Sequence, residues 1–178
     1  MITIIIGTNR HSNLSQYIGK KYQQIIENEY DVNSQILSLE SMPSEVLNHK
    51  MYDDVHPWID DIDNEYFAGA DKFIFIIPEY NGSFPGILKL FIDLLTLKNN
   101  GQSLKWKKAA LIGVSSGRFG NWLGIDQFQS VLNYLKVNTY AYKFSIPEIN
   151  EIIGSSKEID GSNLADLIKK HIDGFIKF

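Results

Sequence analysis

Two loops in this 178-residue chain combine residue types that could hold a ligand. The first is Gly7-Thr8-Asn9-Arg10-His11-Ser12-Asn13-Leu14-Ser15, which follows the apolar run 2–6. Thr8, Ser12, Asn13 and Ser15 are short hydrogen-bonding side chains, and Arg10 offers a planar fork of donors that grips an anion bidentately. Ahead of a helix, where free N–H groups and a partial positive charge gather, that set suits a phosphate. The competing role for the serines and Asn13 is ordinary helix capping. The second loop is Pro78-Glu79-Tyr80-Asn81-Gly82-Ser83-Phe84-Pro85-Gly86. Two prolines and two glycines make it rigid and tightly turned, with backbone N–H and C=O groups facing outward. A flat aromatic ligand could stack on Tyr80 while that backbone bonds its edge. Only two arginines, Arg10 and Arg118, stand against fifteen lysines, and both follow apolar runs. A chain that otherwise uses lysine keeps arginine where the fork matters; the plain alternative is a surface salt bridge.

The elements around these loops read as alternating strands and helices. Run 2–6 is nearly all apolar, as in a parallel strand covered on both faces. Ile18, Tyr22, Ile25 and Ile26 form one helical stripe, with Lys20, Lys21 and Gln24 off it. A second strand is expected over 32–39, a polar irregular connection over 42–54 and a weaker helix over 58–68. The buried run 72–77 reads as a third strand, and Leu88, Phe91, Ile92 and Leu95 set the period of a helix over about 85–98. A turn at 99–101, a strand over 109–114 and a helix over 119–135 follow, with Ile125, Phe128, Leu132 and Leu135 inward. A fifth strand is expected over 137–144, then a last helix with Leu164, Leu167, Ile168, His171, Ile172 and Phe175 inward. Such alternation predicts an α/β three-layer sandwich: a five-stranded parallel sheet, order 2-1-3-4-5, between helices. In that order ligands bind where the order reverses, between strands 1 and 3, and the two loops above converge there.

Other chemistries find little support. A net charge of −4 argues against nucleic-acid binding. The absence of cysteine rules out disulfides, thiolate nucleophiles and Cys-ligated metals. His49 and His56 among Asp53, Asp54, Asp60, Asp61 and Asp63 match no ligand spacing and read as a solvated acidic face. No G-x-S-x-G elbow, P-loop Gly-Lys-Ser/Thr ending or G-x-G-x-x-G turn is present. No apolar run nears the roughly 20 residues that span a bilayer, and no basic leader opens the chain. A single soluble, cytoplasmic domain over 1–178, with no membrane partner, is the expectation.

Pro-Glu-Tyr-Asn-Gly-Ser at 78–83, followed by a Pro85-Gly86 helix start, resembles the NAD(P)H-dependent FMN reductase family of flavodoxin-like proteins. That family includes relatives described as chromate, quinone or azo-dye reductases. The 7–15 loop and Gly113-Val114-Ser115-Ser116-Gly117-Arg118-Phe119-Gly120 match its pattern in order and approximate spacing. The resemblance implies FMN as cofactor, with its phosphate among Thr8, Arg10, Ser12, Asn13 and Ser15. It implies that Pro78, Glu79, Tyr80, Asn81 and Gly82 border the isoalloxazine ring, with a backbone N–H near Asn81 toward N5. Ser115, Ser116, Gly117 and Arg118 then close the pyrimidine side. Electrons would pass from NAD(P)H to a small acceptor such as a quinone, flavin, azo compound or metal oxyanion, with no protein acid or base required. The alternative is a flavodoxin-like electron-transfer or regulatory FMN-binding protein without NAD(P)H turnover. Two departures stand out: the first loop is one residue shorter than the family pattern, and Ser116 and Arg118 flank a single glycine where Ser-Gly-Gly is common. Arg118 is also a candidate for the NADPH 2′-phosphate. Ile87, Leu90, Leu94 and Leu97 give the helix after Pro85 a second apolar face, which suggests a homodimer or homotetramer.

Overall fold

The computed structural model describes residues 1–153 and 163–178. β1 (Ile2–Ile6) is buried at all five positions. β1 pairs in parallel with β2 (Ser34–Ser38), Ile4 opposite Ile36, and with β3 (Lys72–Pro78), Ile4 opposite Ile74. β4 (Lys108–Val114) lies beyond β3, Pro78 opposite Val114. Side chains alternate between two cores because successive Cβ atoms point to opposite faces. Ile5, Phe73, Phe75, Ile77 and Leu111 enter one core, while Ile4, Ile6, Ile74, Ile76 and Ile112 enter the other. Both faces being covered is why these strands read as continuous apolar runs.

The second core is closed by α1 (Ser15–Glu29), α5 (Ile149–Ile153) and α6 (Asn163–Lys177), through Ile18, Tyr22, Ile26, Ile168 and Phe175 among others. On the first, α2 (Pro57–Ile62), α3 (Gly86–Asn99) and α4 (Trp122–Tyr134) pack through Ile59, Phe91, Leu95, Phe128 and Leu132. The expected helix over 58–68 is α2 running into a π turn, Asp63–Phe67. Leu167 lies outside the core, 37% exposed, against the inward place its spacing suggested. The second face of α3 is also narrower than its sequence suggests: Leu94 is in the core, Ile87 and Leu90 are half-buried, and Leu97 is exposed.

The strand order is 2-1-3-4-5 as expected, but the fifth position is split. β5 (Asn138–Thr139) pairs with Lys108 and Ala109, and β6 (Phe144–Ile146) pairs with Ile112, Gly113 and Val114. Between them the chain leaves the sheet so that Tyr140 and Tyr142 can pack around buried His171, ring centroids 5.6 and 5.4 Å away. The Tyr142 carbonyl there accepts from His171 Nε2–H at 3.0 Å. The sheet therefore reaches Ile146, and a fourth loop arrives at its carboxyl edge. Among the described residues no helix is long and apolar enough to cross a membrane.

Candidate functional site

A cleft of ≈ 330 Å³ opens at the carboxyl edge of β1, β3 and β4. Its first wall is Thr8, Arg10, Ser12, Asn13, Leu14 and Ser15. Gly7 N–H continues the ladder by donating to the Ile76 carbonyl at 2.9 Å, which delivers Thr8 directly onto the sheet end. Thr8 Oγ1 accepts from the Arg10 amide at 3.2 Å. Asn13 stabilises the start of α1: its Oδ1 accepts from Gln16 N–H at 3.1 Å and its Nδ2 donates to the Arg10 carbonyl at 2.8 Å. Capping thus falls to Asn13, which leaves the serine hydroxyls unengaged. His11 Nδ1–H donates to Glu40 Oε1 at 2.6 Å, tying the loop to the turn after β2.

The remaining groups of this wall point to an anion. Ser12 has φ 53°, so the backbone passes through the left-handed region just before the helix and turns successive amides to one side. Among the described residues, the amides of Ser12, Asn13, Leu14 and Ser15, the Ser12 and Ser15 hydroxyls and the Arg10 guanidinium make no hydrogen bond. Unpaired donors at the N-terminus of a 15-residue helix, beside a free arginine, favour a phosphate.

The second wall is Pro78, Glu79 and Tyr80. Glu79 N–H donates to the Val114 carbonyl at 2.9 Å, one step beyond the last ladder pair. Tyr80 and Ser83 then exchange both backbone bonds, at 2.9 and 3.1 Å, around Asn81 (φ 51°) and Gly82 (φ 74°). Positive φ at both central residues defines a two-residue turn of the mirror-image type, which Asn-Gly adopts with least strain. Asn81 and Gly82 form its tip and do not line the cleft; Tyr80, at its base, does. The Tyr80 hydroxyl meets Thr8 Oγ1 at 2.5 Å, joining the two walls.

Val114, Ser115 and Ser116 form the third wall. Ser115 is buried, and its hydroxyl serves its own loop, donating to the Gly117 carbonyl at 2.8 Å and accepting from Gly120 N–H at 3.0 Å. That closure turns Gly117 and Arg118 away from the cleft. Arg118 is 88% exposed, with Nε 3.9 Å from Glu148 Oε1. Of the candidate ligand-binding residues named from the sequence, Asn81, Gly82, Gly117 and Arg118 do not line the cleft, and the others line one cavity.

Leu14, Val114, Ile149 and Asn150 also line the cleft and were not anticipated. Ile149 N–H donates to the Ser115 carbonyl at 3.0 Å, so α5 is stitched to the third wall. Ending the last strand at 144 hid this fourth loop; the available signal was Pro147 after the apolar Phe144 and Ile146, which marks a strand end. Among the described residues no group of three or more His, Cys, Asp or Glu is placed to hold a metal ion. His56 instead caps α2, its Nδ1 accepting from Trp58 N–H at 3.1 Å.

Known proteins resemble this chain in both sequence and fold. The sequence profile of the NADPH-dependent FMN reductase family matches residues 1–151. The chain is 30% identical over 146 residues to an NAD(P)H-dependent FMN reductase of Schizosaccharomyces pombe, covering 76% of this chain and 67% of that protein. It is 25% identical over 138 residues to a 2-hydroxy-1,4-benzoquinone reductase of Burkholderia sp, covering 76% and 72%. FerB, a flavoenzyme NAD(P)H:(acceptor) oxidoreductase from Paracoccus denitrificans, superposes with a TM-score of 0.81 at 22% identity, over 99% of this chain and 94% of that one. A flavodoxin from Pseudomonas aeruginosa superposes with 0.63 at 10% identity over 98% of each, a likeness of fold alone. A profile match over so much of the chain decides the assignment: the protein belongs to the NADPH-dependent FMN reductase family.

Proposed function

We propose that the cleft between the 8–15 loop and the Tyr80 turn holds FMN, and that the chain is one FMN-binding domain over 1–178 that passes electrons from NAD(P)H to a quinone-type acceptor. The observation that carries this reading is the row of amides at 12–15 and the Arg10 guanidinium, unpaired among the described residues and in the same cavity as Tyr80. A monophosphate would take those donors, while Tyr80 and the backbone of Glu79 would border a planar ring. Bound FMN would supply the hydride acceptance and electron delivery that no side chain of this cleft can supply. The protein's part is placement. Arg10, Ser12 and Ser15 fix the charged end; Pro78 and the Thr8–Tyr80 bond hold the ring wall; Val114 and Ile149 exclude water from the floor. Glu79, exposed at the lip, is not needed as an acid or base.

Relatives named for quinones support a quinone as acceptor. Dependence on NAD(P)H supports a cytoplasmic setting. Exposed Leu97, next to half-buried Ile87 and Leu90 on α3, supports association into a homodimer or homotetramer, which sedimentation at micromolar concentration checks. The direct test is to titrate the purified protein with FMN, then add NADH or NADPH without oxygen, then a quinone. Flavin uptake, bleaching of its colour by the nucleotide and recovery with the quinone are expected. A protein that refuses flavin overturns the reading.

A further inference from the structure

One seam outside the cleft holds the ring-side wall in place. Asn121, Gly124, Gln127 and Phe128 recur at helical spacing along the start of α4, and each meets the 77–84 segment. Asn121 is buried with φ 57°, a left-handed conformation that asparagine tolerates better than most residues. Its Nδ2 donates to the Ile77 carbonyl at 3.0 Å, immediately before Pro78. Its Oδ1 is buried and has no hydrogen-bond partner among the described residues. Reversing the amide would face oxygen against the Ile77 carbonyl, so the orientation is set by that one bond and the other end goes unmatched. A buried, half-matched amide is costly enough to need a reason.

The surroundings supply one. A Cβ at Gly124 would fall 2.2 Å from Asn121 Oδ1 and 2.7 Å from the Ser83 carbonyl carbon, so glycine there admits both the amide and the turn. One turn further on, Ser83 Oγ donates to Gln127 Oε1 at 2.5 Å, and the Phe84 and Phe128 rings lie 5.3 Å apart. The Tyr80 turn is thus fastened to α4 on its entry strand through Ile77 and on its exit through Ser83 and Phe84.

We propose that Asn121, assisted by Gln127, is a positioning residue that sets where the Tyr80 turn stands against the cleft, and so how the wall meets a planar ring. It touches no ligand itself. The proposal rests on the reading of the cleft as an FMN site, and its test has one arm that does not need flavin. Asn121→Gly keeps the left-handed backbone and removes the amide; Gln127→Ala removes the second fastening from an exposed side chain. In the flavin-free protein, amide exchange at Tyr80 and Ser83 should speed up about tenfold in Asn121→Gly, with the β1 amides unchanged. In the loaded protein the FMN dissociation constant should rise by about the same factor, and the visible band and reduction potential of the flavin should shift. Gln127→Ala should move each reading the same way by less. Wild-type exchange, affinity and spectrum in both variants overturn the proposal. Should Asn121→Gly not fold, Gln127→Ala alone decides by the same criteria. A wild-type protein that takes up no flavin sinks the functional reading, while the exchange arm still decides the positioning role.

Discussion

Thr8 and Tyr80, separated by 72 residues, meet hydroxyl to hydroxyl at 2.5 Å across the mouth of the cleft. Thr8 lies just past the end of β1 and Tyr80 opens the turn after β3, so this bond fixes the distance between the first and second walls of the cleft. Because Thr8 Oγ1 also accepts from the Arg10 amide, the position of Tyr80 is coupled to the loop carrying the free arginine. Thr8→Val and Tyr80→Phe should each destabilise the protein by about 1 kcal/mol, and the double variant by clearly less than the sum. Urea unfolding of the three variants measures the coupling. Strict additivity would mean that the contact carries no energy.

The Arg10 side chain makes no hydrogen bond or ion pair among the described residues, so Arg10→Ala should leave the unfolding midpoint nearly unchanged. It should weaken FMN binding by about 1.5–3 kcal/mol, the worth of a charge-assisted hydrogen bond, or roughly tenfold to over a hundredfold in affinity. Flavin fluorescence quenching reads this directly. Unchanged affinity would place the phosphate elsewhere.

Arg118 stands at the rim, 88% exposed, with only a 3.9 Å approach to Glu148. Such a pair adds little to stability, so Arg118→Ala should shift it by no more than about 0.5 kcal/mol. If the side chain attracts the extra phosphate of NADPH, kcat/KM should fall several-fold for NADPH and hold for NADH. Equal falls for both nucleotides would count against that role.

His171 is buried among aromatic rings, accepting from the Tyr22 hydroxyl at Nδ1 (3.0 Å) and donating from Nε2 to the Tyr142 carbonyl. Burial pushes its pKa down to about 4, against a smaller opposing effect of the Tyr142 bond. The unfolded chain takes up this proton near pH 6.5, well before the native protein does. Its contribution to stability is therefore complete above pH 6.5 and lost as pH falls toward 4, on the order of 3 kcal/mol in all. Urea unfolding from pH 7 to pH 4 should show that slope, and the Tyr22→Phe/His171→Phe pair should lose it. A slope that survives in the variant would have to come from other groups.

Much of this was legible in the sequence because parallel, doubly covered strands leave a strong local mark. The isoleucine run of β1 and the run 73–77 announce burial on both faces, and the stripe Ile18-Tyr22-Ile25-Ile26 announces a helix lying on them. Asn81-Gly82 announces a tight turn because few other pairs accept positive φ twice. Where the signal was long-range, it failed. Nothing in Tyr140 to Lys143 says that the fifth strand should break, since the cause is His171, some thirty residues away. Leu167 follows the helical period and still faces outward, because the period marks a stripe without saying how wide the sheet beneath it is.

By itself, then, the order of residues determined the alternation of strands and helices, the rigid turn after β3 and the arginine-bearing loop after β1, for these follow from backbone preference and burial within a few neighbours. Only the assembled structure decided which polar groups are already used. The Asn13 and Ser115 side chains are taken up by their own loops, while the Arg10 guanidinium and the 12–15 amides find no hydrogen-bond partner among the described residues. Whether a hydrogen bond forms depends on distances between distant segments, and those exist only once the sheet has brought its carboxyl ends to one edge.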